Sequence, residues 1–379
     1  MKNPRVTTML ALVCMLLFLA ALGLRLWAST RATQLTGPDH IAAGADRVYV
    51  HAQGELLVLS DAGALLARTA TAALGLNETP IDLRVRQDGR VLIALQRPAR
   101  LLQCEPRHWQ CQPLGQGVMS RLHTQYKVTV DEANGRLFLT DFDADALWMQ
   151  PLAGGEPTLL IGAQVLQGPN DIALDAPGRL WVADSGHHRL VAIQQDTVGT
   201  WHAGDSLTAR SRMLRYERDW PMMLAAGADG NWWVVQPDGL GHAADLLVYH
   251  RSSGIEARIH LPEGAHPVDV AALGPAMLVT DRERFSVYRI DAASRQVSEF
   301  GDAAFRAILG AAAQRKARYL QLFQLSLYGM IVFGALMLLA AVFATPKEKR
   351  WSKPVIAAPL APSQGPCPSI SGIHWLEPH

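Results

Sequence analysis

The sequence has almost no net charge and lacks the common catalytic signatures. Its 379 residues include 35 Lys and Arg and 34 Asp and Glu, so the formal net charge is +1 at pH 7. No long basic stretch occurs between residues 38 and 301, which excludes the cationic surface that nucleic-acid binding requires. The chain also contains no Gly-x-Ser-x-Gly elbow, phosphate loop or dinucleotide fingerprint. These absences leave architecture as the main source of functional inference.

One pattern is repeated six times between Pro38 and Gly301. Each copy has an apolar strand often opened by Pro-x-Asp, a tight turn and a second apolar strand often closed by Asp. The copies begin at Pro38, Pro80, Gln125, Pro169, Pro221 and Pro267. Spacings of about 42 to 52 residues between short strands are typical of propeller blades. The sequence therefore predicts an all-β fold, a six-bladed β-propeller, with one blade per copy.

The fourth copy resembles a known repeat. From Pro169 to Leu190 it follows the NHL consensus, with a Pro-x-Asp-Ile-Ala strand, a Gly-Arg-Leu turn and an Ala-Asp-Ser-Gly-x-x-Arg-Leu strand end. The other copies are degenerate, since Gln125 replaces Pro in the third and the fifth lacks the closing Asp. The resemblance implies an NHL-like propeller. That group includes protein-binding modules, nucleic-acid-binding modules and some lyases, so the fold does not specify one activity.

Two apolar runs predict membrane-spanning helices. Val6 to Leu24 has no charged residue and is followed by Arg25 and Trp27; Leu322 to Ala344 is also free of charge. A cleaved signal peptide is the alternative for the first run. An uncleaved anchor is favoured because the run is long and no small-x-small cleavage site follows it.

Basic residues flank each predicted span at the end nearer to the chain terminus. Lys2 and Arg5 precede the first span, and Lys347, Lys349 and Arg350 follow the second. The positive-inside rule places both termini in the cytoplasm and the propeller outside, most plausibly in the periplasm at a bacterial inner membrane. The predicted segments are 1–29 (N-terminus and first span), 30–301 (propeller), 302–345 (juxtamembrane helix and second span) and 346–379 (Pro-rich cytoplasmic tail).

Two of the four cysteines are expected to pair. Cys104 and Cys111 flank a short segment between the third and fourth predicted strands of blade two, where cross-strand Cβ atoms approach each other. An oxidising compartment favours a disulfide here. Two free thiols are the alternative. Cys14 lies in the first span and Cys367 in the tail, so neither is expected to join the pair.

The loops between blades suggest a ligand site at the mouth of the central channel. Several carboxylates and one amide are predicted there, namely Asp39, Asp82, Asn170, Asp171 and Asp269 before or in first strands and Asp141, Asp184 and Asp281 after second strands. Such oxygens can hold a divalent cation, or each Asp can cap its own turn. The adjacent pair His187 and His188 is a poor metal pair because neighbouring side chains in a strand point to opposite sides.

The chain resembles calcium- or zinc-dependent lactonases in predicted topology. That resemblance implies a metal held by Asn170 and Asp269, with Asp171 as a nearby acid or base. The family also uses a Glu in the first blade, where this chain has Pro38-Asp39-His40. Calcium or zinc is therefore an alternative to the expectation of no cofactor.

Two basic segments are predicted contact surfaces. The longer connection from blade four to blade five contains four arginines and an aromatic residue, Arg210, Arg212, Arg215, Arg218 and Trp220. They could meet lipid headgroups or a partner's acidic surface, or form a solvated loop. Arg315, Lys316 and Arg318 precede the second span on the side where the positive-inside rule does not predict them. Lipid phosphates, a partner or snorkelling at the interface would explain them.

Three functions follow as hypotheses. The first is a membrane-anchored periplasmic propeller that binds another envelope protein as a scaffold or accessory subunit, without catalysis. The second is a metal-dependent hydrolase or lyase that uses the channel mouth. The third is a sensor that couples an external ligand to the Pro-rich tail. Neither the ligand nor the partner is identified by the sequence.

Overall fold

Twenty-four short strands form six antiparallel sheets in the computed structural model, which describes residues 4–210, 219–237 and 243–344. Each sheet has four strands that are consecutive in sequence and paired in chain order. The predicted six-bladed β-propeller is therefore confirmed.

Blade one consists of β1 (His40–Ala43), β2 (Arg47–Ala52), β3 (Glu55–Ser60) and β4 (Leu65–Ala70). Blade two consists of β5 (Asp82–Val85), β6 (Val91–Leu95), β7 (Arg100–Glu105) and β8 (Gln110–Leu114). Blade three consists of β9 (Val128–Asp131), β10 (Arg136–Asp141), β11 (Ala146–Pro151) and β12 (Thr158–Ile161).

Blade four consists of β13 (Pro169–Ala176), β14 (Arg179–Asp184), β15 (Arg189–Gln195) and β16 (Trp201–Thr208). Blade five consists of β17 (Met223–Ala226), β18 (Trp232–Pro237), β19 (Ala244–His250) and β20 (Gly254–Ile259). Blade six consists of β21 (Pro267–Leu273), β22 (Ala276–Asp281), β23 (Ser286–Asp291) and β24 (Val297–Glu299).

Three α-helices accompany the sheets: α1 (Pro4–Thr33), α2 (Gln116–Met119) and α3 (Ala303–Ala344). Short 3-10 helices occur at Thr71–Leu74 and Ser185–His187. Both α1 and α3 contain runs that are long and apolar enough to cross a membrane, with mean hydropathies of 2.5 and 2.3. These helices are compatible with membrane anchoring.

The core lies between neighbouring blades. Six clusters of buried apolar side chains each join two adjacent sheets, so every blade contributes to two clusters. Second strands are almost wholly buried, as in β6 and β22. A strand that is covered on both faces has a continuous run of apolar residues. Burial of each large apolar side chain stabilises the fold by about 1.5–3 kcal/mol.

The junction of blades one and six, here called the seam, brings together the two ends of the propeller sequence. All six sheets are built from consecutive strands, so no strand from one end of this sequence completes a blade at the other. The first turns of α3 contribute to the seam instead. Phe305, Leu309 and Ala312 are buried in the cluster that joins the two blades. Their spacing of four and three residues puts them on one helix face.

Asp302 fixes the start of α3 at this seam. One of its carboxylate oxygens accepts the N–H of Phe305 at 2.8 Å, and the other accepts the N–H of Leu65 in β4 at 3.0 Å. Gly301 has a φ of 103°, and a Cβ at this position would lie 2.2 Å from the Phe305 ring. Glycine is therefore needed where the chain leaves β24 and begins the helix.

The described chain divides into two compact units. One, Leu26–Phe323, contains the propeller with the adjoining ends of α1 and α3. In the other, the apolar parts of α1 and α3 contact each other: a Cβ at Gly329 would lie 3.6 Å from Ala21, and one at Gly334 would lie 3.7 Å from Phe18. Small residues allow such close helix packing.

Helix α1 extends further than the sequence boundary at residue 29. It remains helical to Thr33, and Ala28 and Ala32, which are one turn apart, are both buried. Tertiary contacts therefore extend the helix beyond the apolar run that predicted it.

Candidate functional site at the centre of the ring

The first strands of the six blades surround the central channel and carry an alternating set of side chains. The third residue of each repeat copy, counted from the Pro or Gln that opens it, is in ring order His40, Asp82, Lys127, Asp171, Met223 and Asp269. Carboxylates thus occur in blades two, four and six, and basic or neutral side chains in blades one, three and five. All three carboxylates are buried, with 1–2% exposure.

Each of the three carboxylates bonds to the next blade. Asp82 accepts the N–H of Val128 at 3.0 Å, Asp171 accepts that of Leu224 at 2.8 Å, and Asp269 accepts that of Ile41 at 3.0 Å. These bonds join blade two to three, four to five and six to one. A buried acceptor that satisfies a backbone donor avoids a penalty of about 1–3 kcal/mol.

Arg84 bridges the channel below this ring. It lies in β5 two residues after Asp82, and its Nε donates to Asp82 Oδ2 at 3.2 Å and to the Val128 carbonyl at 3.1 Å. Its Nη2 donates to Asp171 in blade four, on the far side of blade three. One guanidinium therefore links three blades.

Lys127 and His40 complete the charge balance. The Lys127 ammonium donates to the Ile81 carbonyl and lies 3.8 Å from Asp82 Oδ1. His40 Nδ1 lies 3.4 Å from Asp269 Oδ2 across the seam. Three buried carboxylates thus face two cations and one histidine, which is the pairing that buried charges require.

Burial and pairing affect the carboxylates differently. Burial raises the pKa of Asp171 to about 6, because the loss of hydration outweighs the attraction of Arg84. Burial also disfavours ionisation of Asp269, but contact with His40 and the charges of Lys127 and Arg84 hold its pKa below the usual range. Burial alone would lower the pKa of Arg84, but the negative charges of Asp171 and Asp82 raise it. The pKa of each of these groups therefore depends on its burial and on the charges of the others.

A cavity of about 290 Å³ lies in the channel and includes Arg84 in its lining. The residues two positions after the ring set line it as well: Ala42, Thr129, Ala173, Ala225 and Ala271. Arg86 and Glu132 lie at its far end and form a bidentate pair at 2.8 and 2.6 Å. The cavity is thus lined by small apolar side chains together with the paired charges of Arg84, Arg86 and Glu132.

The residues of the metal hypothesis do not form one ligand group. Asn170 donates its amide to Ser185 Oγ at 2.7 Å, Asp171 binds Arg84, and Asp269 faces His40 and Ile41. Within residues 4–210, 219–237 and 243–344, no group of three or more His, Cys, Asp or Glu side chains is arranged to hold a metal ion. Metal binding by Asn170, Asp171 and Asp269 therefore stays a prediction.

The aspartates that close second strands act as caps. These residues lie on the upper face, defined here as the face with the inter-blade loops and the turns between second and third strands. Asp184 accepts the N–H of Gln167 and the Nε of Arg189, both at 2.7 Å. Asp141 and Asp281 likewise accept backbone N–H groups from the preceding inter-blade loop and from the following turn. Each carboxylate ties two loops together.

Asp39 and the histidine pair have structural partners. Asp39 Oδ1 contacts His51 Nδ1 at 2.6 Å inside blade one. His187 and His188 do not lie in a strand as expected, because the chain makes a short turn at Ser185–His187 and His188 has a φ of 52°. His187 pairs with Asp184 at 2.9 Å and His188 with Asp219 at 3.2 Å.

Part of the predicted basic loop lies outside the described residues, including Arg212, Arg215 and Arg218. At its ends, Asp219 contacts both Arg210 at 3.1 Å and His188 at 3.2 Å. Trp220 packs edge-on against His188 and is 38% exposed. Arg210 and Trp220 thus flank the loop on the upper face, where Arg210 pairs with Asp219 and Trp220 packs against His188.

Among the juxtamembrane basic residues, Lys316 has a protein partner. It pairs with Glu283 at 2.8 Å and lies 5.6 Å from the centre of the Phe285 ring. Arg315 and Arg318 instead line a groove between α3 and blade one. Cys104 and Cys111 occupy paired positions of β7 and β8 and form a disulfide.

Sequence comparison supports the repeat. Residues 166–193, which contain most of β13, β14 and β15, match the NHL repeat family. The protein is a six-bladed β-propeller that contains an NHL repeat. A mouse (Mus musculus) protein named NHL repeat-containing protein 3 is 26% identical to it over 172 residues, which are 44% of this chain and 43% of the relative. The propeller chain thus spans less than half the length of the curated relative that it matches.

The solved structures that resemble this chain belong to diverse proteins. A putative gluconolactonase has a TM-score of 0.49 and 14% identity, and the aligned region covers 71% of this chain and 91% of the gluconolactonase chain. A streptogramin B lyase has a TM-score of 0.48 and 15% identity, with coverage of 70% and 83%. A nidogen–laminin complex contains a chain with a TM-score of 0.46 and 16% identity, with coverage of 71% and 95%.

Some of the site was visible in the sequence and some was not. Alignment of the six copies places His40, Asp82, Lys127, Asp171, Met223 and Asp269 in one column. Reading that column around the ring would have shown the alternation of charge. The bridge from Arg84 to Asp171 was missed because it skips a blade, and no sequence spacing reports a contact across the channel. The one signal of this bridge is that Arg84 occupies a position, two residues after the ring set, where the other five copies have Ala or Thr.

Proposed function

We propose that this protein is a two-pass membrane protein whose propeller lies on the extracytoplasmic side, in the periplasm of a bacterium, and binds another envelope protein. In this proposal the propeller acts as a scaffold or accessory subunit without catalysis. The ring supplies a rigid support, and the upper face supplies the recognition surface.

The observation that carries this proposal is that each channel carboxylate is hydrogen-bonded to the next blade of the ring. Asp82, Asp171 and Asp269 each accept a backbone N–H from the next blade, and Arg84 lies between the first two. A catalytic carboxylate must reach a substrate atom or a metal. These carboxylates instead hold the ring together, which favours a binding role over a hydrolytic one.

The upper face has a suitable anchor at Arg210 and Trp220. Arg210 is 68% exposed and pairs with Asp219, and Trp220 packs against His188, which itself contacts Asp219. Tryptophan and arginine are the residues that most often dominate binding energy at protein interfaces. Support from beneath reduces the side-chain entropy lost on binding.

Topology can be tested by cysteine labelling in intact cells. Val198, at a hairpin tip of blade four, is 83% exposed. In a Val198→Cys protein, the proposed topology predicts reaction with a membrane-impermeant maleimide that reaches the periplasm. Fluorescent-protein fusions at residues 1 and 379 should both fluoresce, since the termini are predicted to be cytoplasmic. A non-fluorescent fusion at either end would reject the two-pass arrangement.

The binding role can be tested by in-cell crosslinking and mass spectrometry of the full-length protein. We expect a stoichiometric envelope partner whose yield falls at least roughly tenfold in Trp220→Ala and Arg210→Glu, since loss of an interface anchor costs about 1.4 kcal/mol or more. Arg107→Glu, in the turn between the third and fourth strands of blade two, and Leu159→Ala in β12 change exposed side chains outside the upper-face loops and are the matched controls. An unchanged complex would reject this surface. Absence of any partner, together with bound calcium or zinc and hydrolysis of lactones, would establish the enzyme instead.

A further inference from the structure

We propose that the groove between α3 and blade one binds the phosphate of an anionic phospholipid. The groove has a volume of about 720 Å³. Arg68 from β4 and Arg315 and Arg318 from α3 line it, together with the polar side chains of Gln53 and Gln314. All of these residues belong to the unit that contains the propeller.

The two helix arginines are available for a ligand. Arg68 is paired with Glu55 at 2.6 Å, and the neighbouring Lys316 is paired with Glu283. In the part of the chain that the structure describes, the guanidinium groups of Arg315 and Arg318 have no hydrogen bond or ion pair to protein. Three residues apart on a helix, they lie on the same face.

The shape of the groove suits a headgroup. Ala307 and Ala311 lie on the same side of α3 as the two arginines and line the groove with them. Their short side chains leave the volume open one and two turns before Arg315. A planar guanidinium donates two parallel hydrogen bonds to phosphate oxygens, so two arginines can hold one phosphate from two sides.

The position of the arginines along α3 favours a lipid over a free anion. The uncharged run begins at Leu322, four residues after Arg318, which is about 6 Å at the helical rise. Headgroups occupy a layer of about 5–8 Å on each side of the hydrocarbon core. An arginine at this distance therefore lies at the depth of lipid phosphates if the run spans the membrane.

An aromatic pair marks the same level. Tyr319 follows Arg318 directly, and its ring packs edge-on against Trp27 of α1 with centroids 5.3 Å apart. Trp27 remains 47% exposed. Trp and Tyr concentrate where hydrocarbon meets headgroups. The pair thus supports assignment of this level of α3 to the membrane interface.

The test is lipid retention by the full-length protein. Nanodiscs that contain phosphatidylcholine and phosphatidylglycerol are used, and the protein is released from them for native mass spectrometry. We expect wild type to retain phosphatidylglycerol in preference to phosphatidylcholine. In Arg315→Gln/Arg318→Gln the retention should fall roughly tenfold, as expected for loss of charge-assisted hydrogen bonds. Arg97→Gln/Arg107→Gln, on exposed arginines of blade two, should retain the lipid as wild type does.

Three results would overturn the proposal. Equal phosphatidylglycerol retention by the groove variant and wild type would show that the arginines do not bind it. Equal retention of both lipids by wild type would show that the anionic charge is not recognised. An arginine-dependent inorganic phosphate adduct in phosphatidylcholine nanodiscs, with no preference for phosphatidylglycerol, would assign the groove to a soluble anion.

Discussion

Asp269 in blade six accepts the backbone N–H of Ile41 in blade one at 3.0 Å, although 228 residues separate them in sequence. The bond crosses the seam, where no shared strand holds the ring closed. His40 adds a contact at 3.4 Å to the same carboxylate. Besides the backbone bond from the Gly37 N–H to the Arg282 carbonyl, the seam therefore depends on side chains and on the start of α3.

Replacement of Asp269 by Asn should destabilise the propeller. The Asn side chain keeps the shape but presents one N–H₂ group toward either the Ile41 or the Val270 N–H, both of which now donate to the carboxylate. The expected loss in free energy of unfolding is about 1–3 kcal/mol. Denaturant unfolding monitored by intrinsic tryptophan fluorescence measures it. Asp88→Asn at an exposed hairpin turn is the control and should change stability by less than about 0.5 kcal/mol.

The start of α3 should be as important to the ring as a strand. Phe305 is fully buried at the seam among Leu59, Phe285 and Phe300. Phe305→Ala should reduce the free energy of unfolding by about 3–5 kcal/mol because it leaves a large cavity. The same measurement on Leu320→Ala, whose side chain is 45% exposed on the same helix, should show little change. Similar losses in both variants would mean that burial at the seam is not what Phe305 contributes, because Ala is the better helix former at both positions.

The disulfide should be visible by counting thiols. The sequence has four cysteines, and Cys104 is joined to Cys111. Protein purified without reductant and then denatured should react with maleimide at Cys14 and Cys367 alone, and at all four positions after reduction. Intact mass spectrometry measures the number of labels. Four labels without reductant would show that the pair is reduced in the cell and would argue against the periplasmic assignment.

The sequence predicted the blades well because the strands of each blade are consecutive in the chain. Each blade is a run of consecutive strands, so the repeated Pro-x-Asp and Gly-Arg turn signals mark it directly. The first strands start within three residues of the predicted positions, as at Val128 for the copy that begins at Gln125. The hairpin partners Cys104 and Cys111 are also local and were predicted as a pair.

Contacts between distant blades were not predictable in this way. The ion pair between Arg84 and Asp171 spans 87 residues and depends on how six strands converge, not on any spacing. The role of α3 at the seam has a visible signal in the periodic Phe305, Leu309 and Ala312. The sequence predicts a helix there but not its contact with the ring, because the helical run continues into a predicted membrane span. Metal binding by Asn170, Asp171 and Asp269 stays a prediction, and the sequence alone did not reveal the cation or N–H group that each of these side chains faces.

Asp171 should make stability depend on pH in the opposite direction to an ordinary ion-paired carboxylate. Burial raises its pKa from 3.8 to about 6, so the folded state holds this proton more tightly than the unfolded state. The contribution of Asp171 to stability is therefore greatest below pH 4 and decreases as pH rises to 6. Asp171→Asn stays neutral, so its stability relative to wild type should rise over this interval by on the order of 2–3 kcal/mol.

Unfolding of both proteins at several pH values tests this difference. Asp302→Asn provides the comparison, because backbone N–H groups of Phe305 and Leu65 lower the pKa of Asp302. Its carboxylate stabilises the fold above the unfolded pKa and loses that effect only as pH falls below about 4. The difference between Asp302→Asn and wild type should thus stay constant from pH 4.5 to 6. If Asp171→Asn also shows a constant difference there, Asp171 is ionised throughout this range and the Arg84 pair outweighs its burial.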